Sequence, residues 1–465
     1  MCNTGQTMTF EECELAVLRQ AVDENEQERG LKMRNQDDMQ KLVKIVEDFI
    51  EMKKLLCYGG TAINNILPKS AQFYDYKTEI PDYDFFSSRA LEDAKELADL
   101  YVRNGYTSVE AKSGVHHGTY KVYVNFISMA DITHIHVGLF QTLSQQSLSI
   151  AGIRYVPANF LRMSMYLELS RPEGDVSRWE KVLKRLTLLN KYHPVQLHAN
   201  CDSVVFQRAA DALDPATAAR VFHTVRNSFT ELGVVFFGGY ASALYSKYTP
   251  SHRQEEIPDF DVLCEDPQRC ATILTERLAD IGITKVSVIE HAAIGELIPE
   301  SVEFKVGKDT IAFLFKPIAC HNYNTITIDH REIRVATVDT ILSFYLAFLF
   351  IDDPMFTPFR NRHLCLVNFL FELEQKNRLA QTGLLQRFTA KCYGNQETME
   401  SIRARKAAKF AELKTNRNSP EYQSWFLNYR PLDEKKTPAD KKTEKKTSKK
   451  QTKKKASWIP FGILA

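Results

Sequence analysis

At 465 residues the chain has room for about three domains. With 44% hydrophobic and 25% charged residues it is neither a mostly disordered chain, nor a collagen, nor a small disulfide scaffold. The net charge of +2 is unevenly spread: residues 431–465 hold 11 Lys, no Arg and four acids, so the preceding chain carries about five more acids than bases. That balance excludes a body that attracts nucleic acid over its whole surface, and any nucleic-acid path on it must be a local basic groove.

Met1–Val17 lacks a basic start followed by an apolar core, so no secretory leader is expected. Residues 1–35 read as a helical extension with Thr9 and Glu12 spaced as a capping box. Leu42, Ile45, Val46 and Phe49 then recur at helical spacing. A short apolar strand over 55–58 runs into Gly59-Gly60, a tight turn that opens a second helix. The segment IPDYDFF (80–86) reads as a strand, and a helix is expected over about 91–104. Strands follow at 119–126 and 128–136, and an Ile-Arg segment at 153 leads into another helix.

The pattern then repeats. LLCYGGTAINNI (55–66) is echoed by VVFFGGYASALY (234–245), IPDYDFF by IPDFDVL (257–263), and the Ile153-Arg154 segment by Ile333-Arg334, at offsets of 179, 177 and 180 residues. Three ordered matches at one spacing indicate two copies of one unit. The second opens with a helix carrying Val221, Phe222, Val225 and Phe229, and has another over about 267–281. The fold expected is α+β (mixed α/β), with two tandem domains of one type. The expected division is an extension at 1–35, a first domain at 36–195, a second at 196–390, a helical segment at 391–430, and a disordered Lys-rich tail at 431–465. The apolar run from Thr340 to Ile351 is too short to span a bilayer and reads as a buried helix. Nine scattered cysteines without a CxxC pair suggest reduced thiols rather than a zinc site.

The candidate chemistry lies in the first copy. Asp82 and Asp84, two residues apart on a strand, share one face. Two carboxylates so placed repel unless a cation sits between them, and all-oxygen ligation suits magnesium or manganese. A lone pair of this kind is more often a solvated strand end. Two further elements strengthen the case: Gly59-Gly60 before a helix, where backbone N–H groups can meet phosphate with Thr61 and Asn64 one helical turn apart, and Asp131, an acid within an otherwise apolar strand. In the second copy Thr61 and Asn64 become Tyr240 and Ala243, and the strand matching Asp131 reads TIAFLFKP (310–317). The second copy therefore reads as an inactive scaffold. Arg154, with its counterpart Arg334, reads as structural; His116, His117, His134 and His136 read as locally satisfied; and Lys121 reads as a solvated lysine.

The combination of a GG turn, a DxD pair and a third strand Asp resembles nucleotidyltransferases of the polymerase-beta type over roughly 40–170, with an echo at 217–350. The doubled domain together with YGGTA, PDYDFF and ADIT resembles more closely the poly(A) polymerase catalytic subunits of the large nucleocytoplasmic DNA viruses, poxviruses and giant viruses among them. That resemblance implies template-free addition of AMP from ATP to the 3′ end of single-stranded RNA with two Mg²⁺ or Mn²⁺ ions. Asp82, Asp84 and Asp131 would be metal ligands and catalytic residues, with Gly59, Gly60, Thr61 and Asn64 about the nucleotide. It also implies a homodimer or a viral processivity subunit as partner, no membrane, and work in the host cytoplasm or virion. The residues alone leave open a CCA-adding or oligonucleotide-synthesising enzyme and a non-catalytic RNA-binding scaffold.

Overall fold

The computed structural model of the chain describes residues 37–74, 81–197, 213–249, 259–295 and 297–434, together with Glu14, Val17, Leu18, Ala21, Cys201 and Arg208. The expected N-terminal extension and capping box, and nearly all of the Lys-rich tail, lie outside these residues. The chain forms two compact units: described residues within 1–55, 74–134 and 405–465, and those within 56–73 and 135–404.

In the first unit the helix Asp37–Lys53 buries Leu42, Val46, Phe49 and Ile50. Its apolar side faces inward because these residues recur at three and four positions, the period of one helical face. Five strands pair in the order Asn428–Tyr429, Val109–Ser113, Thr119–Val124, Ile127–His134 and Tyr83–Ser87; all neighbours are antiparallel except the last two, which run parallel. Tyr83 and Phe85 alternate inward and are buried. The helix Ala90–Arg103 follows the acid strand. Ser87 Oγ donates to Asp93 Oδ2 at 2.5 Å in the first turn of that helix, where a carboxylate complements the helix dipole.

In the second unit, Leu56–Cys57 runs parallel to Ile153–Tyr155, which pairs antiparallel with Leu148–Ile150. The helix Gly59–Ile66 follows directly. A mixed eight-stranded sheet carries the second copy. The pairings repeat: Phe260–Leu263 runs parallel to Asp309–Phe315 as Tyr83–Ser87 does to Ile127–His134. Val235–Phe236 likewise runs parallel to Arg331–Ala336 as Leu56–Cys57 does to Ile153–Tyr155. The apolar run near 340 is the wholly buried helix Val338–Phe348. Among described residues no helix is long and apolar enough to cross a membrane.

Besides the helices Arg360–Asn377, Met399–Leu413 and Pro420–Phe426, residues 352–430 supply the edge strands Cys392–Tyr393 and Asn428–Tyr429. These are two-residue strands, defined by the sheet edge they join and too short to carry an alternating pattern. The cysteines are not all reduced: Cys201–Cys365, Cys264–Cys270 and Cys320–Cys392 form disulfides. Their partners lie 164, 6 and 72 residues apart, spacings that carry no pairing signal in a sequence.

Candidate active site

The acids of the first copy converge through strand register. Asp84 stands opposite Asp131 across the parallel pair, and Lys121 stands opposite Asp131 across the antiparallel pair on its other side. Asp82 lies two residues before Asp84, at the mouth of the same strand. Desolvation of its carboxyl raises its pKa, the charge of Asp131 raises it further, and Lys121 opposes both. Lys121 is not solvated as expected: its ammonium donates to Asp131 Oδ2, and although desolvation disfavours its charge, that bond and the carboxylate's charge raise its pKa. Asp131 Oδ1 is buried without a hydrogen-bond partner. A buried carboxylate oxygen left unpaired is costly. The unpaired oxygen and the carboxylate donors of Asp82, Asp84 and Asp131 are of the kind a hard divalent cation takes, although among the described residues the three are not gathered within 4.8 Å of one another.

Packing on the far side of the acid strand fixes these positions. Tyr83 reaches Glu47 of the Asp37–Lys53 helix through its hydroxyl, and Lys53 Nζ contacts Asp93 Oδ1 at 3.3 Å. The acid face is therefore the open side of a strand anchored from behind.

The residues expected about the nucleotide lie in the second unit. Gly59 has φ +73°, in the left-handed region that favours glycine, and begins the helix Gly59–Ile66 with Gly60. Thr61 and Asn64 are only 2% and 0% exposed. Asn64 Oδ1 accepts from the backbone N–H of Phe73 at 2.7 Å, and its amide donates to Asn65 Oδ1 at 3.3 Å. Asn64 thereby ties its helix to the segment around Phe73, and Thr61 is packed inside.

The second copy shows what becomes of the same scaffold without the third acid. The position of Asp131 is taken by Phe313, opposite Asp261 in the same register. Arg208 reaches in from the segment before this copy. Its guanidinium contacts Asp259 Oδ2 and Asp261 Oδ1, both at 2.8 Å, and lies 4.8 Å from the centre of the Phe313 ring. Arg362 adds a 3.0 Å contact to Asp259 Oδ2. Desolvation raises the pKa of Asp259, but Arg208 and then Arg362 outweigh it and leave it low; Asp261, more weakly compensated, is pushed up. A guanidinium thus fills the place between the paired acids where a cation is needed.

The second Gly-Gly turn is shaped by those acids. A Cβ on Gly238 would lie 2.3 Å from Asp261 Oδ2, and one on Gly239 would lie 2.2 Å from Asp259 Oδ1. The N–H groups of Phe237 and Gly238 both donate to the Asp261 carbonyl, and that of Tyr240 donates to the Asp259 carbonyl. Here glycine is required because turn and acid strand touch, and these N–H groups are engaged by the strand.

Arg334, the counterpart of Arg154, donates from its guanidinium to the Gly233 carbonyl at 2.9 Å, at the left-handed end of the helix Pro215–Leu232. His136 caps the helix Val137–Gln145 by accepting from the Gly138 N–H, and His117 lies in a tilted stack on Trp425, ring centres 4.1 Å apart and planes inclined at 33°. Sequence reasoning missed Arg208, Lys121 as the partner of Asp131, and this stack. Only Lys121 had a usable signal, its place on a strand expected beside that of Asp131.

The chain shares its fold with the crystal structure of the Megavirus polyadenylate synthase, at a TM-score of 0.74 over 96% of this chain and 91% of that one and 18% sequence identity. In sequence, residues 44–175 match the model of the poly(A) polymerase catalytic subunit family. Over 167 residues the chain is 31% identical to the putative poly(A) polymerase catalytic subunit of African swine fever virus, isolate Pig/Kenya/KEN-50/1950, and over 160 residues 30% identical to that of Acanthamoeba polyphaga mimivirus. These matches cover 35% and 33% of this chain and 35% and 27% of the relatives, so the chain aligns with about a third of their length. The resemblance read from YGGTA, PDYDFF and ADIT is found again by the sequence matches, and the structural match shares the fold. The matched segment contains all three acids of the first copy, whereas the second copy lies beyond it.

Proposed function

We propose that the chain is a poly(A) polymerase that adds AMP from ATP to the 3′ end of single-stranded RNA without a template. The observation that carries this reading is the buried, unpaired Oδ1 of Asp131 beside Asp84, inside the segment that matches the poly(A) polymerase family. Asp82, Asp84 and Asp131 are the residues that would hold two Mg²⁺ or Mn²⁺ ions. When bound, such ions supply Lewis-acid stabilisation of phosphoryl charge and lower the pKa of an attacking hydroxyl. The chain's own contribution is to set Asp84 opposite Asp131 on paired strands, with Asp82 at the strand's mouth and the Lys121 ammonium against Asp131. For the triphosphate the reading assigns the Gly59-Gly60 turn; Thr61 and Asn64, being buried, would serve it by holding the turn in shape. A homodimer or a processivity subunit remains part of the proposal, as does work in the host cytoplasm.

The test is incorporation of each of the four labelled NTPs into a short single-stranded RNA by the full chain. Selective, repeated addition of AMP supports the proposal. Addition of a fixed short CMP-containing end, or of no nucleotide at all, refutes it.

A further inference from the structure

The first unit carries, beside its acids, a surface that the proposed chemistry does not use. Residues 405–417 hold five basic residues and one acid, an excess quite unlike the acidic body. They lie in and just beyond the helix Met399–Leu413, with the helix Pro420–Phe426 following. Trp425 of the second helix stacks on His117, and Arg405 of the first lies 5.8 Å from the centre of the Trp425 ring. Lys406 donates to the Gly114 carbonyl at 2.5 Å and so fixes the loop that presents His117. Trp425 is half-buried, while His117 is exposed. Lys409 is balanced by Glu412 and Glu421, and Arg405, Lys406, Lys414 and Arg417 are the other bases of this stretch.

We propose that the His117–Trp425 stack with its flanking cations is a single-stranded RNA platform that receives bases upstream of the reacting 3′ end. The inference rests on the polyadenylating reading of the neighbouring acids. Aromatic faces beside cations bind single strands because every base has a π-face and every linkage a negative charge. The rings are few and bounded by cations, which suits a nucleic-acid strand and not an apolar protein partner. Desolvation, and then the charges of Arg405 and His134, lower the pKa of His117, keeping the ring neutral and apt for stacking near pH 7. The position also fits. The His134 N–H donates to the Gly118 carbonyl at 2.8 Å, and His134 lies three residues beyond Asp131 on one strand. The loop is therefore about 10 Å from Asp131 at ~3.3 Å per residue, roughly three stacked nucleotides at ~3.4 Å each.

The test is fluorescence anisotropy of a labelled 15-nucleotide oligo(A) with the full chain, without ATP or divalent cation. His117→Ala, in an exposed loop, and Arg405→Glu should each weaken binding about tenfold. Trp425→Phe should keep most of the affinity, and Lys184→Glu, an exposed charge reversal in the other unit, should change it less than twofold. In the unsubstituted chain, oligo(A) should quench Trp425 fluorescence, with the quenching lost in Trp425→Phe. Unchanged affinity in both His117→Ala and Arg405→Glu overturns the platform while leaving polyadenylation standing if the chain still extends RNA. A chain that neither binds nor extends RNA overturns both. Equal competition by polyglutamate of matched charge overturns the assignment to RNA in favour of an acidic protein partner.

Discussion

Replacing Arg208 by Met should unfold the second unit at markedly lower temperature while leaving the first-copy acids untouched. Arg208 is about 10% exposed and contacts two carboxylates that are about 4% and 6% exposed. Methionine keeps much of the side chain's apolar bulk and removes the charge, leaving Asp259 with Arg362 and Asp261 with no cationic partner at contact distance. Removing one partner of a buried ion pair costs about 3–5 kcal/mol, chiefly because the other charge stays buried without compensation. For a domain of this size that corresponds to a fall in Tm on the order of 10 °C. The defect should shrink as pH falls from 8 to 5: with its folded-state pKa pushed further up, Asp261 takes a proton in the folded variant first. The companion variant Arg208→Met with Asp261→Asn leaves one neutralising pair, Arg362 with Asp259, and should recover most of the loss. Differential scanning fluorimetry and calorimetry of wild type, both single variants and the double variant give the coupling energy directly. A loss below about 1 kcal/mol for Arg208→Met, or no recovery in the double variant, would refute the view that the guanidinium replaces a cation between the paired acids.

Asp82→Asn, Asp84→Asn and Asp131→Asn should each lower AMP incorporation by about 10²–10³-fold or more with the Tm nearly unchanged, since metal-borne charge stabilisation is worth several kcal/mol; near wild-type turnover at ordinary Mg²⁺ would remove that residue from the ligand set. Glu374 is fully buried beside Arg387, which Asp339 already grips through two contacts. Desolvation raises its pKa to about 7, with Arg387 opposing and Asp339 reinforcing the shift. A carboxyl whose folded pKa lies above its unfolded value of ~4.3 favours the folded state when protonated, so its contribution is lost between about pH 4.3 and 7. Wild-type Tm should therefore fall more steeply from pH 5 to 8 than that of Glu374→Gln, and parallel profiles would contradict this. Cutting after Glu434 keeps the Asn428–Tyr429 strand and removes all 11 tail lysines. The truncated chain should bind RNA more weakly at low salt and lose the difference as salt rises, and identical slopes of log affinity against log salt would leave the tail no RNA role.

The second copy explains why the motifs were legible and their neutralisation was not. Gly-Gly, PDxD and Ile-Arg recur because each is a local solution to a backbone problem: a turn that touches the acid strand, a strand end, and a parallel neighbour of the turn's own strand. Such solutions leave a trace within a few residues, and the helices followed from 3.6-residue periodicity for the same reason. The loss of the third acid was legible too, because TIAFLFKP is apolar where Asp131 stands. Arg208 had no trace. It lies 51 residues before Asp259 in a stretch without periodicity, and its partners are set by tertiary packing alone. Lys121 was misread for a related reason: a lysine on a half-exposed strand is solvated by default, and only the register that sets it opposite Asp131 overrides the default.

Set side by side, the two acid pairs show that this scaffold demands positive charge at one place and accepts it in two forms. In the second copy the demand is met by an arginine from the chain, with Phe313 at the position of the third acid. In the first copy Lys121 meets it only in part, on one oxygen of Asp131, and the other oxygen stays unpaired. A guanidinium fixed by the chain leaves the second pair neutralised, whereas the incompletely compensated first set is the one to which the proposed function assigns exchangeable cations. The same reasoning predicts that Asp131→Phe with an arginine supplied nearby would make the first copy resemble the second, stable and inert, whereas Phe313→Asp alone would leave the second copy inert, because Arg208 would still hold Asp259 and Asp261. Metal binding in a Phe313→Asp variant that keeps Arg208, read by isothermal titration with Mn²⁺ in an Asp82→Asn background, would show instead that the missing acid, and not the arginine, silences the second site.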